Sequence, residues 1–322
     1  MPDALYFPGL VPSASSSVEE FMRRNEFVQR RLRVADEVLG YSLLDAYAKA
    51  EIYDWEVFET GFMVLTLALA DWTMENLDID PVLCGGQSFG AIVAAVFTGA
   101  LDYPDAIEFI RASTAVETDY FNRLPAPMGC LFFYRLDSAS VDRLIEQCRS
   151  DGLDLEASVY LDDSVHAVSG PIEHLKIFRQ LIRDRGGHAF YLMNRAEHCP
   201  SVAPLRERLK NEVYQKFTWN TPSLPLLSDV TGELLHHPDA IMEDLLDGWV
   251  SPVHWTTVVE GIRTAGADNV LIIGPRNMFA RITNNRLPTA VVTPKVIDEF
   301  PVKGFPPPTL RSSKAMCRKG AP

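Results

Sequence analysis

The chain has 322 residues, 47% of them hydrophobic and 23% charged, which is enough length and apolar content for one large domain with an insertion or for two domains. This composition excludes a disordered or fibrous chain. A formal net charge of −13 argues against a broad nucleic-acid surface and leaves local basic patches as the places where an acidic partner could bind.

Leu5-Tyr6-Phe7-Pro8-Gly9 reads as a short strand stopped by Pro-Gly, with a loop of small and polar residues from Leu10 to Ser17. From Val18 to Ala48 apolar residues recur at helical intervals and predict one or two amphipathic helices. Asp54 to Asn76 predicts a more buried helix. Its apolar run Gly61–Ala70 is about half the length needed to cross a bilayer. Met1-Pro2-Asp3-Ala4 carries no basic-then-hydrophobic export pattern, so a cytoplasmic protein without a membrane span is expected. Cys84, Cys130, Cys148, Cys199 and Cys317 lack metal-type spacing and are expected as reduced thiols, with Cys199 a small buried residue.

The apolar run Pro81–Cys84 enters Gly85-Gly86-Gln87-Ser88-Phe89-Gly90, and a helical run from Ala91 leaves it, which predicts strand, sharp turn and helix. Glycines on both sides of Ser88 allow close approach of strand and helix while the hydroxyl points outward, and the helix N-terminus aims free N–H groups at it. The same pattern also suits an inert glycine-rich turn. Helices are predicted to about Gly99 and from Pro104 to about Tyr120.

Between residues 124 and 193 the periodicity changes. Strands at Gly129–Tyr134, Ala157–Leu161, Val165–Ser169 and His188–Leu192, with helices Ser138–Cys148 and Ile172–Asp184, give the order βαββαβ of a ferredoxin-like unit. Beyond it follow a helix over Pro204–Lys216, a strand over Pro225–Ser228, helices over Ala240–Leu246 and Val253–Ala265, and the strand Asn269–Ile273. A further helix and the strand Ala290–Val292 close the domain. The expected architecture is α/β: a large catalytic domain from residues 1–123 and 194–300 with a parallel, α/β-hydrolase-like sheet, an inserted small subdomain over 124–193, and an extended or disordered tail over 301–322.

Several separated pieces, taken together, resemble the malonyl-CoA:acyl-carrier-protein acyltransferases and the acyltransferase domains of polyketide synthases. These are Phe7-Pro8-Gly9, Gly86-Gln87-Ser88-Phe89-Gly90, Gly99-Ala100-Leu101 with Asp105-Ala106, the βαββαβ insert, Glu197-His198-Cys199-Pro200, Pro252-Val253-His254-Trp255 and Gly274-Pro275. The resemblance covers roughly residues 5 to 293. It implies transfer of an acyl group between pantetheine thiols through an ester on Ser88, with His198 as general base and acid. It also implies a dyad in place of a triad, the histidine being held by a backbone carbonyl near Gly248, and an oxyanion bound by the N–H groups of Leu10 and Phe89. No bound cofactor is implied; the phosphopantetheine arm of a carrier protein, or CoA, is the substrate.

Departures from the family pattern bear on that substrate. Malonyl-type members carry an arginine 25 residues after the nucleophile, where this chain has Ser113, and Arg111 lies about 200° away around the helix. Arg195-Ala196-Glu197-His198 and Gln87 also depart, so Gln87, Ser113, Arg195 and Glu197 are read as an altered pocket whose floor has no cation for a second carboxylate. The expectation is a stand-alone, monomeric enzyme moving a non-malonyl group, possibly bulky or aminoacyl, from carrier protein to carrier protein in natural-product biosynthesis. The alternatives are a thioester hydrolase of the same fold and a non-catalytic docking module. Acidic carrier proteins call for a basic docking patch, with candidates Arg143, Arg149, Arg179, Arg183, Arg206, Arg208 and Lys210. His254 is expected to pack or lie at the surface.

Overall fold

The computed structural model describes residues 2–10, 16–51, 53–162, 164–276, 283, 286–300 and 311–312. Strand β1 (Pro2–Phe7) is followed by α1 (Ser16–Arg24), α2 (Glu26–Leu39) and α3 (Leu43–Tyr47), three helices where the periodicity predicts one or two. The breaks have local causes. The Asn25 side chain accepts the N–H groups of Phe27 and Val28 to start α2, Gly40 ends it in the left-handed region, and Ser42 caps α3.

Helix α4 (Trp55–Asn76) is long and apolar enough to cross a membrane by length and composition alone, yet most of it is buried within the molecule. Its residues are apolar nearly all round, as a core helix requires. Strands β2 (Leu77–Asp78) and β3 (Asp80–Gly86) lead to α5 (Phe89–Phe97) and α6 (Tyr103–Asn122).

The insert consists of β4 (Met128–Tyr134), α7 (Ser138–Ser150), β5 (Glu156–Tyr160), β6 (Val165–Pro171), α8 (Ile172–Asp184) and β7 (His188–Met193). Its strands pair antiparallel in the order β7-β4-β6-β5, the ferredoxin-like arrangement, and cover their own core around Phe133, Leu144 and Phe178.

After the insert, α9 (Ala203–Glu212) ends before the predicted Lys216 and gives way to a 3₁₀ turn at Tyr214–Lys216. There Tyr214 is buried against Phe109. The predicted strand over Pro225–Ser228 is only β8 (Leu226–Leu227), and it folds back through Asp229–Gly232 into β9 (Leu234–Leu235). Helix α10 (Pro238–Asp247) precedes β10 (Val253–His254), a two-residue strand where the sequence predicts the start of a helix; α11 (Trp255–Thr264) begins just after it. Strand β10 pairs with β5, so the main chain of the large domain extends the insert's sheet.

Strands β11 (Asn269–Ile273) and β12 (Thr289–Val292) and helix α12 (Pro294–Asp298) complete the large domain. The helix predicted between β11 and β12 falls mostly outside the described residues. So does the predicted tail, apart from β13 (Arg311–Ser312), which pairs antiparallel with β2.

The main sheet has the order β12-β11-β1-β3-β8-β9 and is parallel throughout except for the last pair. One apolar cluster centred on α4 fills one side of it. A second, containing Tyr6, Val159, Val253 and Trp255, joins the large sheet to the insert. β1 and β3 lie side by side at the centre, and their carboxyl ends open onto the elbow, where ligands of open parallel sheets bind.

Candidate active site

Ser88 sits between β3 and α5 with φ 55° and ψ −125°, a conformation that side-chain-bearing residues rarely adopt. Both flanking glycines are sterically required. A Cβ on Gly86 would lie 2.0 Å from the Gly90 carbonyl oxygen, and one on Gly90 would lie 2.2 Å from that of Phe7. Two hydrogen bonds hold the turn: Gln87 N–H donates to Phe7 O (3.0 Å), and Ser88 N–H donates to Asp229 Oδ2 (2.7 Å).

His198 reaches the serine from the loop after β7. Its Nε2 is 2.9 Å from Ser88 Oγ and its Nδ1 is 2.6 Å from Gly248 O. A carbonyl oxygen can only accept, so Nδ1 carries the proton and Nε2 is free to receive one from the serine. Burial holds the imidazole pKa below its ordinary value, outweighing the opposing pull of Glu197.

The histidine loop is fixed from two sides. Cys199 N–H donates to Trp249 O (3.1 Å). Across the insert, Ser158 Oγ donates to Ser169 Oγ (2.7 Å), which donates to Glu197 O (3.0 Å) and accepts from Glu197 N–H (3.2 Å).

A cleft with about 600 Å³ of empty space, its open mouth included, lies over the pair and is lined by Ser88, His198, Phe89, Ser113, Arg195 and Glu197, together with Glu59, Glu117 and Asp229. Phe89 is the first residue of α5, so its N–H has no partner within the helix. Leu10 is half-buried against the core, one residue past Gly9, which packs on the Gln87 carbonyl. Gln87 departs from the predicted pocket. Its side chain is buried beside Gly9, not among the cleft-lining residues, because the turn that exposes Ser88 sends its neighbour inward.

The expectation of a floor without a cation is corrected. The Arg195 guanidinium reaches the cleft, stacked 3.8 Å from the Trp55 ring. Each of its three nitrogens is paired: Nη2 donates to Glu59 (2.8 Å), Nη1 to Glu117 (2.7 Å) and Nε to Glu197. Burial pushes the Glu117 carboxyl up to about 8 and raises that of Glu59, while the three carboxylates keep Arg195 charged. Ser113 is 6% exposed and its hydroxyl has no partner among the described residues. Arg111 turns away from the cleft to Glu108 and to Leu39 O.

Of the predicted docking residues, three near the histidine are neutralised within the chain. Arg206 pairs with Glu207, Glu243 and Asp247, Arg208 with Asp119 and Glu212, and Lys210 with Glu243. On the insert, Arg149 donates to Leu155 O and Arg143 to Ser140 Oγ, while Arg179 and Arg183 are exposed on α8. His254 is exposed and stacks on Tyr160. Cys199 is buried, its thiol pushed up to about 12 by desolvation. Among the described residues no cluster of metal-ligating side chains is present.

Sequence reasoning missed Glu59, Glu117, Ser158, Ser169 and Asp229. Glu59 did carry a signal, as a carboxylate just before the apolar run Gly61–Ala70 of a helix expected to be buried.

No protein-family model matches the chain. The malonyl CoA-acyl carrier protein transacylase of Escherichia coli K12 is 22% identical over 292 residues, spanning 89% of this chain and 93% of that protein. The chain is thus similar, along most of its length, to malonyl-CoA:acyl-carrier-protein acyltransferases. The fold agrees. An acyl-carrier-protein S-malonyltransferase from Burkholderia pseudomallei 1710b superposes with a TM-score of 0.80 at 20% identity, covering 93% of this chain and 99% of that one. The malonyl-transacylase solved in complex with a type II polyketide synthase acyl-carrier protein gives a TM-score of 0.79 at 21% identity, covering 91% and 96%. The chain shares the fold of these structures over most of its length.

Proposed function

We propose that the chain moves a monoacyl, non-malonyl group between pantetheine thioesters, from carrier protein to carrier protein, through an ester on Ser88. The observation that carries this reading is the cleft floor: a serine stands where malonyl-type members have arginine, and the guanidinium that is present is consumed by three glutamates. A substrate carboxylate would enter an already acidic site whose guanidinium is paired with three carboxylates, at a cost of roughly several kcal/mol.

In the first half-reaction Ser88 Oγ attacks the thioester carbonyl while its proton passes to His198 Nε2, and Gly248 O steadies the imidazolium through Nδ1–H. The N–H groups of Phe89 and Leu10 bind the oxyanion. Collapse breaks the carbon–sulfur bond, and the departing thiolate takes the proton from Nε2 and leaves as the thiol. The second half-reaction runs in reverse with the acceptor thiol. No bound cofactor enters; the pantetheine arm is substrate, and the similarity to a transacylase solved with a polyketide carrier supports natural-product assembly as the setting.

The test is intact-protein mass after incubation with a panel of acyl-pantetheine thioesters. Wild type gains a monoacyl adduct but no malonyl adduct, and Ser88→Ala gains none. Efficient malonyl loading by wild type overturns the substrate reading. Release of free acid alone, whether or not an acceptor carrier is supplied, assigns the chain to hydrolysis.

A further inference from the structure

Beyond Ser88 the cleft ends on charges that acyl transfer itself does not use. Glu59, Glu117 and Glu197 share the single guanidinium of Arg195, a formal excess of two negative charges. Each spends one oxygen on Arg195, and among the described residues no hydrogen bond reaches Glu59 Oε2, Glu117 Oε1 or Glu197 Oε2. A cluster built only to hold helices together gains nothing from an unmatched buried charge, because burial penalises each unpaired carboxylate. Here burial pushes the carboxyls of Glu59 and Glu117 upward, the direction expected of carboxylates that lack a full complement of positive charge.

A second observation points the same way. Ser113 lies one helical turn before Glu117 on α6 and lines the same cleft, buried, with a hydroxyl that has no partner among the described residues. Helix α4 brings Glu59 beside them, and Trp249 adds an aromatic wall to the cleft. The site thus offers two carboxylates with spare lone pairs, a hydroxyl and a π face, all within the cleft that contains the nucleophile.

We propose that the acyl group taken up by Ser88 carries a protonated amine, bound by Glu59 and Glu117 with Ser113 as a further acceptor. An ammonium brings three N–H donors and one positive charge to acceptors that lack both. It supplies the charge the cluster lacks, whereas a neutral acyl chain brings none and a malonyl group brings a further negative charge. The proposal rests on the reading of Ser88 as the acyl carrier and deepens it by naming the substrate class.

The experiment pairs thioesters of equal length with and without the amine: glycyl against acetyl, β-alanyl against propionyl, and 6-aminohexanoyl against hexanoyl pantetheine. Loading rates are read by intact mass. At least one amine-bearing member loads wild type about tenfold faster than its partner or more, a difference one compensated buried charge readily supplies. Glu117→Gln and Glu59→Gln, which keep shape and remove charge, each bring that ratio down toward one. Equal loading of every pair by wild type, or a ratio unchanged in both variants, overturns the amine proposal while the seryl-ester reading stands. Absence of any Ser88-dependent adduct across the whole panel overturns the seryl-ester reading and the amine proposal with it.

Discussion

The backbone of Ser88 is held at a φ that costs about 1–3 kcal/mol, so something must keep it there. Asp229 does so by accepting the Ser88 N–H, and burial pushes its carboxyl up to about 7. Protonated or not, that carboxyl presents an acceptor. Asp229→Asn is therefore expected to keep loading within a few-fold of wild type, while Asp229→Ala leaves a buried N–H unpaired at about 1–3 kcal/mol and slows acyl-enzyme formation roughly tenfold or more. Equal rates for the two variants in single-turnover loading would remove Asp229 from this role. His198 makes a separate prediction. Its pKa lies below the ordinary 6.5, and the base form is the neutral imidazole, so the acid limb of the loading rate is centred below pH 6.5. A pH profile whose acid limb is centred above 6.5 would contradict this. Ser88 and His198 were legible in the sequence because the elbow and the His-Cys-Pro segment carry side-chain signatures, whereas Gly248, which acts through its carbonyl, came only from the family resemblance. Asp229 was not legible, since it acts on a main-chain N–H at the end of a two-residue strand.

At the scale of elements, the insert supports the catalytic loop as well as packing on the large domain. The chain of hydroxyls from Ser158 on β5 through Ser169 on β6 grips both main-chain groups of Glu197, the residue before His198. Ser169→Ala leaves those buried groups unpaired, which predicts a loss of about 1–3 kcal/mol in thermal unfolding and a slower loading step. An unchanged melting temperature together with an unchanged loading rate would refute it. The βαββαβ order itself was readable, because strands and helices of that length keep periods of two and 3.6 over several repeats. Strands β8, β9 and β10 were not: two residues hold no period, and Val253–His254 is extended because β5 offers it an edge to pair with. The cluster around Arg195 escaped for a related reason, as its four members come from α4, α6 and the loop after β7.

Over the whole molecule the net charge of −13 sets an acidic background against which a carrier protein, itself acidic, must find positive ground. The basic residues of α9, which follows the histidine, do not supply it. Arg206 on α9 is bound to Glu243 and Asp247 on α10, and α10 runs directly into Gly248, whose carbonyl holds His198. Its charge is spent within the chain, on the helix that leads into Gly248. Arg179 and Arg183, exposed on α8, keep theirs available to a partner. The two sets should therefore separate kinetically. Arg206→Ala loosens the tie between α9 and α10 and lowers kcat, with little change in the KM for the acyl carrier. Arg179→Glu combined with Arg183→Glu raises that KM several-fold at low salt and leaves kcat near wild type, and the difference shrinks as salt screens the surface. If Arg206→Ala instead raises KM alone, the docking face lies beside α9; if the α8 pair changes nothing at any ionic strength, the insert's outer helix is not where the carrier lands.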